Sequence, residues 1–304
     1  MRQSNSFRTI GILVGILGVV LFSTKAILVK LAYRYEVDTL ELLLFRMLFS
    51  VPFYLAILWA IQRKERRVPT QRDGLWIILF GFLGYYLASY FDFLGLNYIK
   101  AGLERIILFV YPTIVVLLGY LAFREKITRP QAIAIAITYF GVLITFWSEV
   151  DLAGNKTLWG GFLVFLSAIT YASYLVGSGW LIPKYGVLRF TCYAMIVSTC
   201  CVLVHYSLDG DWDLAKFPTP VYGYGLLMAI ISTLIPSFLV SESIKRLGAS
   251  NFSILGSLGP VSTIILAYIF LGEALTYLQL LGMVVVIVGV TYLSLKGKSK
   301  KKTD

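Results

Sequence analysis

Ten long runs of apolar residues alternate with short polar connectors along the chain. A helix that crosses the ~30 Å hydrocarbon core of a bilayer needs about 20 mostly apolar residues, and each run is close to that length. The pattern therefore predicts ten membrane-spanning helices. They cover residues 9–33, 39–61, 74–97, 101–122, 130–147, 157–182, 187–207, 221–245, 249–271 and 275–295.

The composition supports a membrane location. Apolar residues make up 58% of the 304 positions and charged residues only 14%, whereas soluble proteins have about 45–50% and about 25%. A soluble fold of this length could not cover its surface with so few polar side chains. We therefore exclude a soluble enzyme, a disordered chain and a secreted disulfide scaffold. We expect an all-α integral membrane protein whose first partner is the lipid bilayer.

The basic residues are distributed unevenly between alternate connectors. One set of connectors, with both termini, carries nineteen Lys and Arg residues, and the other set carries four: Arg34, Lys100, Lys156 and Lys216. Because Lys and Arg accumulate on cytoplasmic loops, both termini are predicted to face the cytoplasm, with the protein in the inner (plasma) membrane. The net charge of +11 is thus a sign of topology, and we expect no nucleic-acid partner.

No motif in the sequence indicates an enzyme. The chain has no Walker A, GxSxG or HExxH pattern, and His205 is its only histidine. We therefore predict no catalytic residues, no cofactor, no metal site and no ATP hydrolysis. The pattern leaves the oligomeric state open.

The chain contains an internal repeat with an offset of 148 residues. Distinctive residues around the fourth and fifth runs align without a gap with those around the ninth and tenth. The aligned pairs are Ala101 with Ala249, Pro112 with Pro260, Glu125 with Glu273, Thr128 with Thr276, Gln131 with Gln279 and Gly141 with Gly289. We predict two five-helix repeats at 9–147 and 157–295, an external linker at 148–156, a cytoplasmic N-terminus at 1–8 and a basic cytoplasmic tail at 296–304.

An odd number of helices per half places the second half upside down in the membrane. The connector after the fourth run contains Arg124, Lys126 and Arg129, whereas its counterpart after the ninth run keeps Glu273 and has no basic residue. This difference is what the positive-inside bias produces when two repeats have opposite orientations. The halves are therefore predicted to be related by an axis in the membrane plane.

Each predicted repeat ends in the same two motifs. A Pro-to-Glu pattern closes the fourth helix, at Pro112–Glu125 and Pro260–Glu273, and a Gln-to-Gly pattern lies in the fifth, at Gln131–Gly141 and Gln279–Gly289. In these motifs the chain resembles the drug/metabolite transporter superfamily, in its EamA-type branch, over about residues 9–295. The resemblance implies ten helices in two inverted repeats around a central cavity, lined by the first four helices of each repeat. It also implies transport of small polar or amphipathic solutes, often outward.

These observations lead to one main expectation for function and two alternatives. The main expectation is a secondary transporter that moves a small-molecule substrate by alternating access, with efflux as the expected direction. The substrate class is an amino-acid-like metabolite or an organic cation, and protons are a candidate coupling ion. The alternatives are an uncoupled facilitator or importer, and a membrane scaffold or enzyme without transport activity.

Several ionisable residues lie inside the predicted spans, where each is costly unless it has a partner or a water-filled cavity. Lys25, Arg46 and Asp92 come from three helices and are predicted at one depth near the outer surface. One interpretation is a structural ion-pair network, in which Asp92 pairs with Lys25 or Arg46. The other is a polar vestibule that meets substrate or protons. Lys30 and Glu104 lie near helix ends and are expected to extend to the membrane surface.

Two faces with tyrosine and serine are predicted walls of the cavity. Tyr85, Ser89 and Asp92 share one face of the third run, and Tyr171 and Tyr174 share one face of the sixth. Tyrosine inside a membrane needs a hydroxyl partner or a cavity. Ordinary helix packing is the alternative for each of these tyrosines taken singly.

Glu242 and three prolines complete the candidate residues. Glu242 is a candidate for ion binding, although pairing with its basic neighbours is the favoured interpretation. Pro112, Pro236 and Pro260 lie inside spans, where each removes a helical hydrogen bond. They are candidate hinges, with a static kink as the alternative.

Overall fold

A computed structural model of the chain describes residues 5–65, 68–124, 126–147, 155–273 and 276–299. Within those ranges the fold is all-helical, and every predicted run coincides with one helix, numbered α1 to α10. Glu125, most of the predicted external linker and the two ends of the chain lie outside the described residues. The helices are α1 Asn5–Ala32, α2 Thr39–Lys64, α3 Gln71–Leu96, α4 Ala101–Leu108 with Tyr111–Phe123, α5 Arg129–Trp147, α6 Asn155–Tyr185, α7 Val187–Asp209, α8 Thr219–Leu247, α9 Ala249–Leu255 with Leu258–Leu271, and α10 Tyr277–Ser299.

Seven of the described helices are long and apolar enough to cross a membrane, namely α1, α2, α3, α6, α7, α8 and α9. The second segment of α4 and the part of α10 at Leu280–Gly289 are shorter apolar helices. The outward faces of the described helices carry many exposed Leu, Ile, Phe and Trp side chains. Such a surface is stable against lipid and unstable in water. The prediction of an all-α integral membrane protein is confirmed.

Two connections between long helices are only one residue long. Gly186 alone separates α6 from α7, and Gly248 alone separates α8 from α9. Their φ angles are +79° and +83°, a region in which glycine carries no steric penalty. Consecutive helices are thereby held close together.

The order of contacts between α2 and α7 shows that the two halves are inverted. Gln62 near the end of α2 donates to Tyr193 near the start of α7, at 2.8 Å. Glu65, just after α2, accepts from Arg189, still nearer the start of α7. Residue numbers therefore rise along one helix while they fall along the other. Because α2 and α7 are equivalent helices of the two repeats, their antiparallel packing requires a half-turn about an axis perpendicular to both.

The fifth helices of the two halves meet in the same way. A Cβ added to Gly141 would stand 2.9 Å from Val286, and one added to Gly289 would stand 2.7 Å from Thr138. Small residues let helix backbones approach closely inside a membrane. Helices α5 and α10 therefore pack closely at Gly141 and Gly289, which occupy equivalent positions in the two repeats.

The half-turn also relates the contact between α1 and α8 to the contact between α6 and α3. The matching close approaches are Gly11 with Arg246 and Gly15 with Ser243 in the first pair, and Gly160 with Tyr98 and Val164 with Gly95 in the second. These contacts align α1 with α6 at an offset of 149 residues, so the position equivalent to Lys25 is Tyr174. The helix scaffold is repeated, but its charged residues are not.

Each half has two interruptions at equivalent positions. A π-helical turn occurs at Phe82–Leu87 in α3 and at Ile230–Leu234 in α8, and both α4 and α9 break in the middle. Pro112 and Pro260 lie in the first turn after those breaks, and Pro236 follows the second π-helical turn. The first π-helical turn is followed by no proline, so proline is not what produces this feature in both repeats. Turns of this kind occur often at functional sites.

Candidate functional site

A small cavity lies between the two halves. Residues of α1, α3, α4, α6, α8 and α9 line it, and its volume is about 60 Å³, which is room for about four water molecules. Its polar lining includes Lys25, Tyr85, Ser89, Arg105, Ser167 and Tyr171. The expected central cavity is present, but α2 and α7 do not contribute to its lining. At this volume the cavity can hold water and is too small for a metabolite.

Lys25 and Asp92 form a buried ion pair beside the cavity. Lys25 Nζ lies 2.5 Å from Asp92 Oδ2, and the two side chains are 9% and 1% exposed. Lys25 faces the cavity, whereas Asp92 lies behind it. Of the two partners expected for Asp92, the structure selects Lys25.

A second charged pair, Glu104 and Arg105, lies against the first. Arg105 Nε lies 3.2 Å from Glu104 Oε2, and Arg105 also donates to the carbonyl of Phe22 on α1 at 3.1 Å. Glu104 is 0% exposed. The expectation that Glu104 extends to the membrane surface is wrong, because the start of α4 is itself buried within the protein.

Arg46 joins the two halves through hydrogen bonds. Its Nε donates to Thr233 at 2.7 Å and its Nη1 donates to Ser89 at 3.1 Å. Thr233 lies in the π-helical turn of α8, and Ser89 lies just after that of α3. Arg46 is 0% exposed, it has no carboxylate within salt-bridge distance among the described residues, and its Nη2 has no hydrogen-bond partner there.

The tyrosines form a connected aromatic wall. Tyr85 meets Tyr174 edge-on with ring centroids 5.0 Å apart, and Tyr171 meets Tyr111 in the same way at 5.4 Å. Tyr85 and Tyr171 line the cavity, whereas Tyr174 lies behind them. The predicted faces of the third and sixth runs therefore do converge.

Glu242 does not join this cluster. Arg246 Nε donates to Glu242 Oε1 at 2.6 Å, and Lys245 lies 3.7 Å from the other oxygen. Both partners are within one turn of the same helix. The structure thus shows the pairing that the sequence favoured, at the end of α8 and away from the cavity lining.

Four polar residues of this region escaped the sequence analysis as binding candidates: Arg105, Tyr111, Ser167 and Thr233. Arg105 and Tyr111 lie on either side of the break in α4. Pro112, the next residue after Tyr111, was the sequence feature that could have indicated this break. Ser167 donates to the carbonyl of Ala88 at 2.7 Å, at the end of the π-helical turn. No pattern of apolar residues reports a π-helical turn, so these contacts had no clear sequence signal.

Pro260 is the one hinge candidate that lines the described cavity. Pro112 and Pro236 lie outside its lining. All three remain candidates for hinges because each lies within one turn of an interrupted helix.

Comparisons with known proteins agree with this architecture. The model of the EamA-like transporter family matches residues 9–147 and again 158–295. The chain is 31% identical over 298 residues to the uncharacterized transporter YcbK of Bacillus subtilis, covering 94% of each chain. It is 23% identical to the uncharacterized transporter sll1319 of Synechocystis, covering 97% of this chain and 96% of that one. A solved crystal structure shares the fold with a TM-score of 0.76 at 14% identity, covering 97% of this chain and 99% of that one.

Proposed function

The chain belongs to the EamA-like transporter family, and from that premise we propose that it is a secondary carrier for a small metabolite with a carboxylate group. The solute is amino-acid-like, and it crosses the membrane by alternating access of the two inverted halves. We place the carrier in the plasma membrane with both termini in the cytoplasm, and we assign efflux as its usual direction, in keeping with the resemblance.

The surplus of positive charge around the cavity carries this proposal. Lys25 and Arg105 line it, and Arg46 lies behind Ser89, which also lines it, whereas Asp92 and Glu104 are the two carboxyl groups paired with Lys25 and Arg105. A buried cation without a counter-ion is costly, and a guanidinium matches the planar geometry of a carboxylate. An anionic group of a solute in the cavity would balance this excess of positive charge. An organic cation would meet repulsion there, so this observation favours the amino-acid-like class.

The symmetry of the interruptions supports alternating access. Each half carries a π-helical turn and a broken helix, and the π-helical turn of α3 and the breaks in α4 and α9 line the shared cavity. In the present conformation the cavity has no room for a metabolite, so the halves must move apart on one side to admit the solute. The repeated interruptions are natural positions for that movement, since opposite halves can then open opposite sides.

Counterflow in proteoliposomes tests the proposed function. Vesicles preloaded with unlabelled solute are offered trace amounts of labelled amino acids, organic cations or neutral solutes. We expect accumulation of carboxylate-bearing solutes, and loss of that accumulation in Arg46→Gln. Preference for organic cations would overturn the substrate class. Absence of counterflow for the whole panel would instead favour a scaffold or enzyme. Inside-out and right-side-out membrane vesicles then separate efflux from import.

A further inference from the structure

We propose that the cavity between the two halves binds a small monovalent anion, chloride in the cell, which the solute carboxylate displaces. The anion site is argued from the charges and hydroxyl groups of the described residues alone. Its displacement by solute rests on the proposed function, and it adds to that function an ion that competes for the same positive charge.

The charge of the cavity lining is the first observation. Lys25 and Arg105 line the cavity, and among the described residues no carboxylate does. Asp92 and Glu104 pair with these two cations from outside the lining, and Arg46 adds a third cation there. Three cations and two carboxylates leave a formal surplus of one positive charge, on side chains at most 9% exposed. One monovalent anion would balance that buried surplus.

The size of the cavity favours an inorganic ion over a metabolite in this conformation. Its volume is about 60 Å³, which is room for about four water molecules. A chloride ion is only slightly larger than a water molecule, so it fits together with part of its hydration shell. A solute with a carboxylate group reaches the same charges only after the two halves have moved apart.

Two hydroxyl groups in the lining have a proton to donate to such an ion. Tyr85 is 1% exposed, and its hydroxyl group has no hydrogen-bond partner among the described residues. Ser89 accepts from Arg46 Nη1 at 3.1 Å, which leaves its own O–H group to donate. A buried donor without a partner is costly, and an anion in the cavity gives both O–H groups an acceptor. Because Arg46 polarises the Ser89 hydroxyl group, it strengthens that donation.

Competition between the two anions follows from the charge balance. Chloride and the solute carboxylate neutralise the same single surplus, so a carrier that held both would bury an uncompensated negative charge. Each anion therefore lowers the affinity for the other, and by linkage the two effects are equal. In the solute-free carrier, chloride keeps the closed cavity electrically neutral.

Thermal unfolding of the purified protein tests the anion site without any solute. Chloride or bromide replaces methanesulfonate, a larger monovalent anion, at constant ionic strength, so that screening stays the same. The Tm should rise with the halide concentration and then saturate, as it does for a ligand that binds only the folded protein. A Tm that is the same in all three salts would overturn the proposal.

Tyr85→Phe removes one proposed donor and keeps the aromatic ring. The chloride Kd obtained from the rise in Tm should increase about tenfold or more, the range expected for a hydrogen bond to a charged group. The matched control is Tyr174→Phe, because the Tyr174 hydroxyl group is also buried without a partner among the described residues but lies outside the cavity lining. The control should keep the wild-type Kd. An unchanged Kd in Tyr85→Phe, or an equal increase in both variants, would overturn the assigned site.

Counterflow of a carboxylate solute tests the displacement. Chloride in place of methanesulfonate should raise the solute KM in proportion to its concentration and leave the maximal rate unchanged. A constant KM would overturn the competition. A halide-independent Tm with normal counterflow would reject the anion site and leave the proposed function standing. Absence of counterflow with a halide-dependent Tm would reject the proposed function and leave the anion site standing.

Discussion

Removal of one partner from the Lys25–Asp92 pair is the sharpest test of how this site is built. In Lys25→Met, the Asp92 carboxylate loses a cation at 2.5 Å while its side chain is 1% exposed. Breaking a buried pair from one side costs about 3–5 kcal/mol, because the remaining charge is uncompensated. Asp92→Asn should cost a similar amount. The double variant should recover most of the loss, since replacing both members of a buried pair is often neutral.

Reversible unfolding in mixed micelles measures these free energies, and the four proteins form a double-mutant cycle. The control is Lys245→Met, which breaks a pair whose side chains are 48% and 26% exposed and should cost less than about 1 kcal/mol. Additive losses in the double variant would refute a direct, dry contact. Counterflow of the double variant then tests the function of the pair. A stable double variant without counterflow would place the pair in the transport site. A double variant with normal counterflow would show that the pair is structural.

Three further predictions concern packing, binding and topology. In Gly84→Ala the new Cβ would stand 2.5 Å from Cβ of Tyr174. We expect the free energy of unfolding to fall by about 1–3 kcal/mol in the same assay. The control is Gly74→Ala, whose new Cβ would have no atom within 4 Å and should leave the free energy of unfolding unchanged. Arg46→Lys keeps the charge but cannot bridge both hydroxyl groups, so the solute KM should rise about tenfold; an unchanged KM would remove Arg46 from the binding site. Lys216→Cys, made in a variant without the native cysteines, should react with a membrane-impermeant thiol reagent on intact cells. Labelling only after permeabilisation would show that the orientation is opposite to the predicted one.

Much of the fold could be predicted because the membrane imposes simple rules. Each apolar run long enough to cross a bilayer coincides with a helix. The alignment of Gly141 with Gly289 in sequence reappears as close packing between α5 and α10. The loss of basic residues between equivalent connectors indicated inversion, and antiparallel α2 and α7 bear that out. These features follow from hydropathy, charge and the internal repeat.

The site was harder to predict because its geometry depends on deviations from regular helices. Sequence reasoning placed the start of α4 at the membrane surface, yet Ala101 and Glu104 are 0% exposed. The connector before α4 is packed against Gly160 through Tyr98 and Ile99. A helix end buried by its neighbours leaves no mark on the apolar pattern, and neither does a π-helical turn. Lys25 and Asp92 could be identified from the sequence because an ionisable residue stands out in an apolar run at any helix position.

Fusion of the two halves into one polypeptide has a consequence for how charge can be distributed. Two separate copies of a five-helix unit, inserted in opposite directions, would each have to bring the same lysine, arginines and acids to their common centre. A single gene can instead let one side keep its ionisable groups while the other evolves a tyrosine in place of Lys25. Because the two halves are covalently linked, only one of them has to bury ionisable groups at the centre, and the two halves can take different roles.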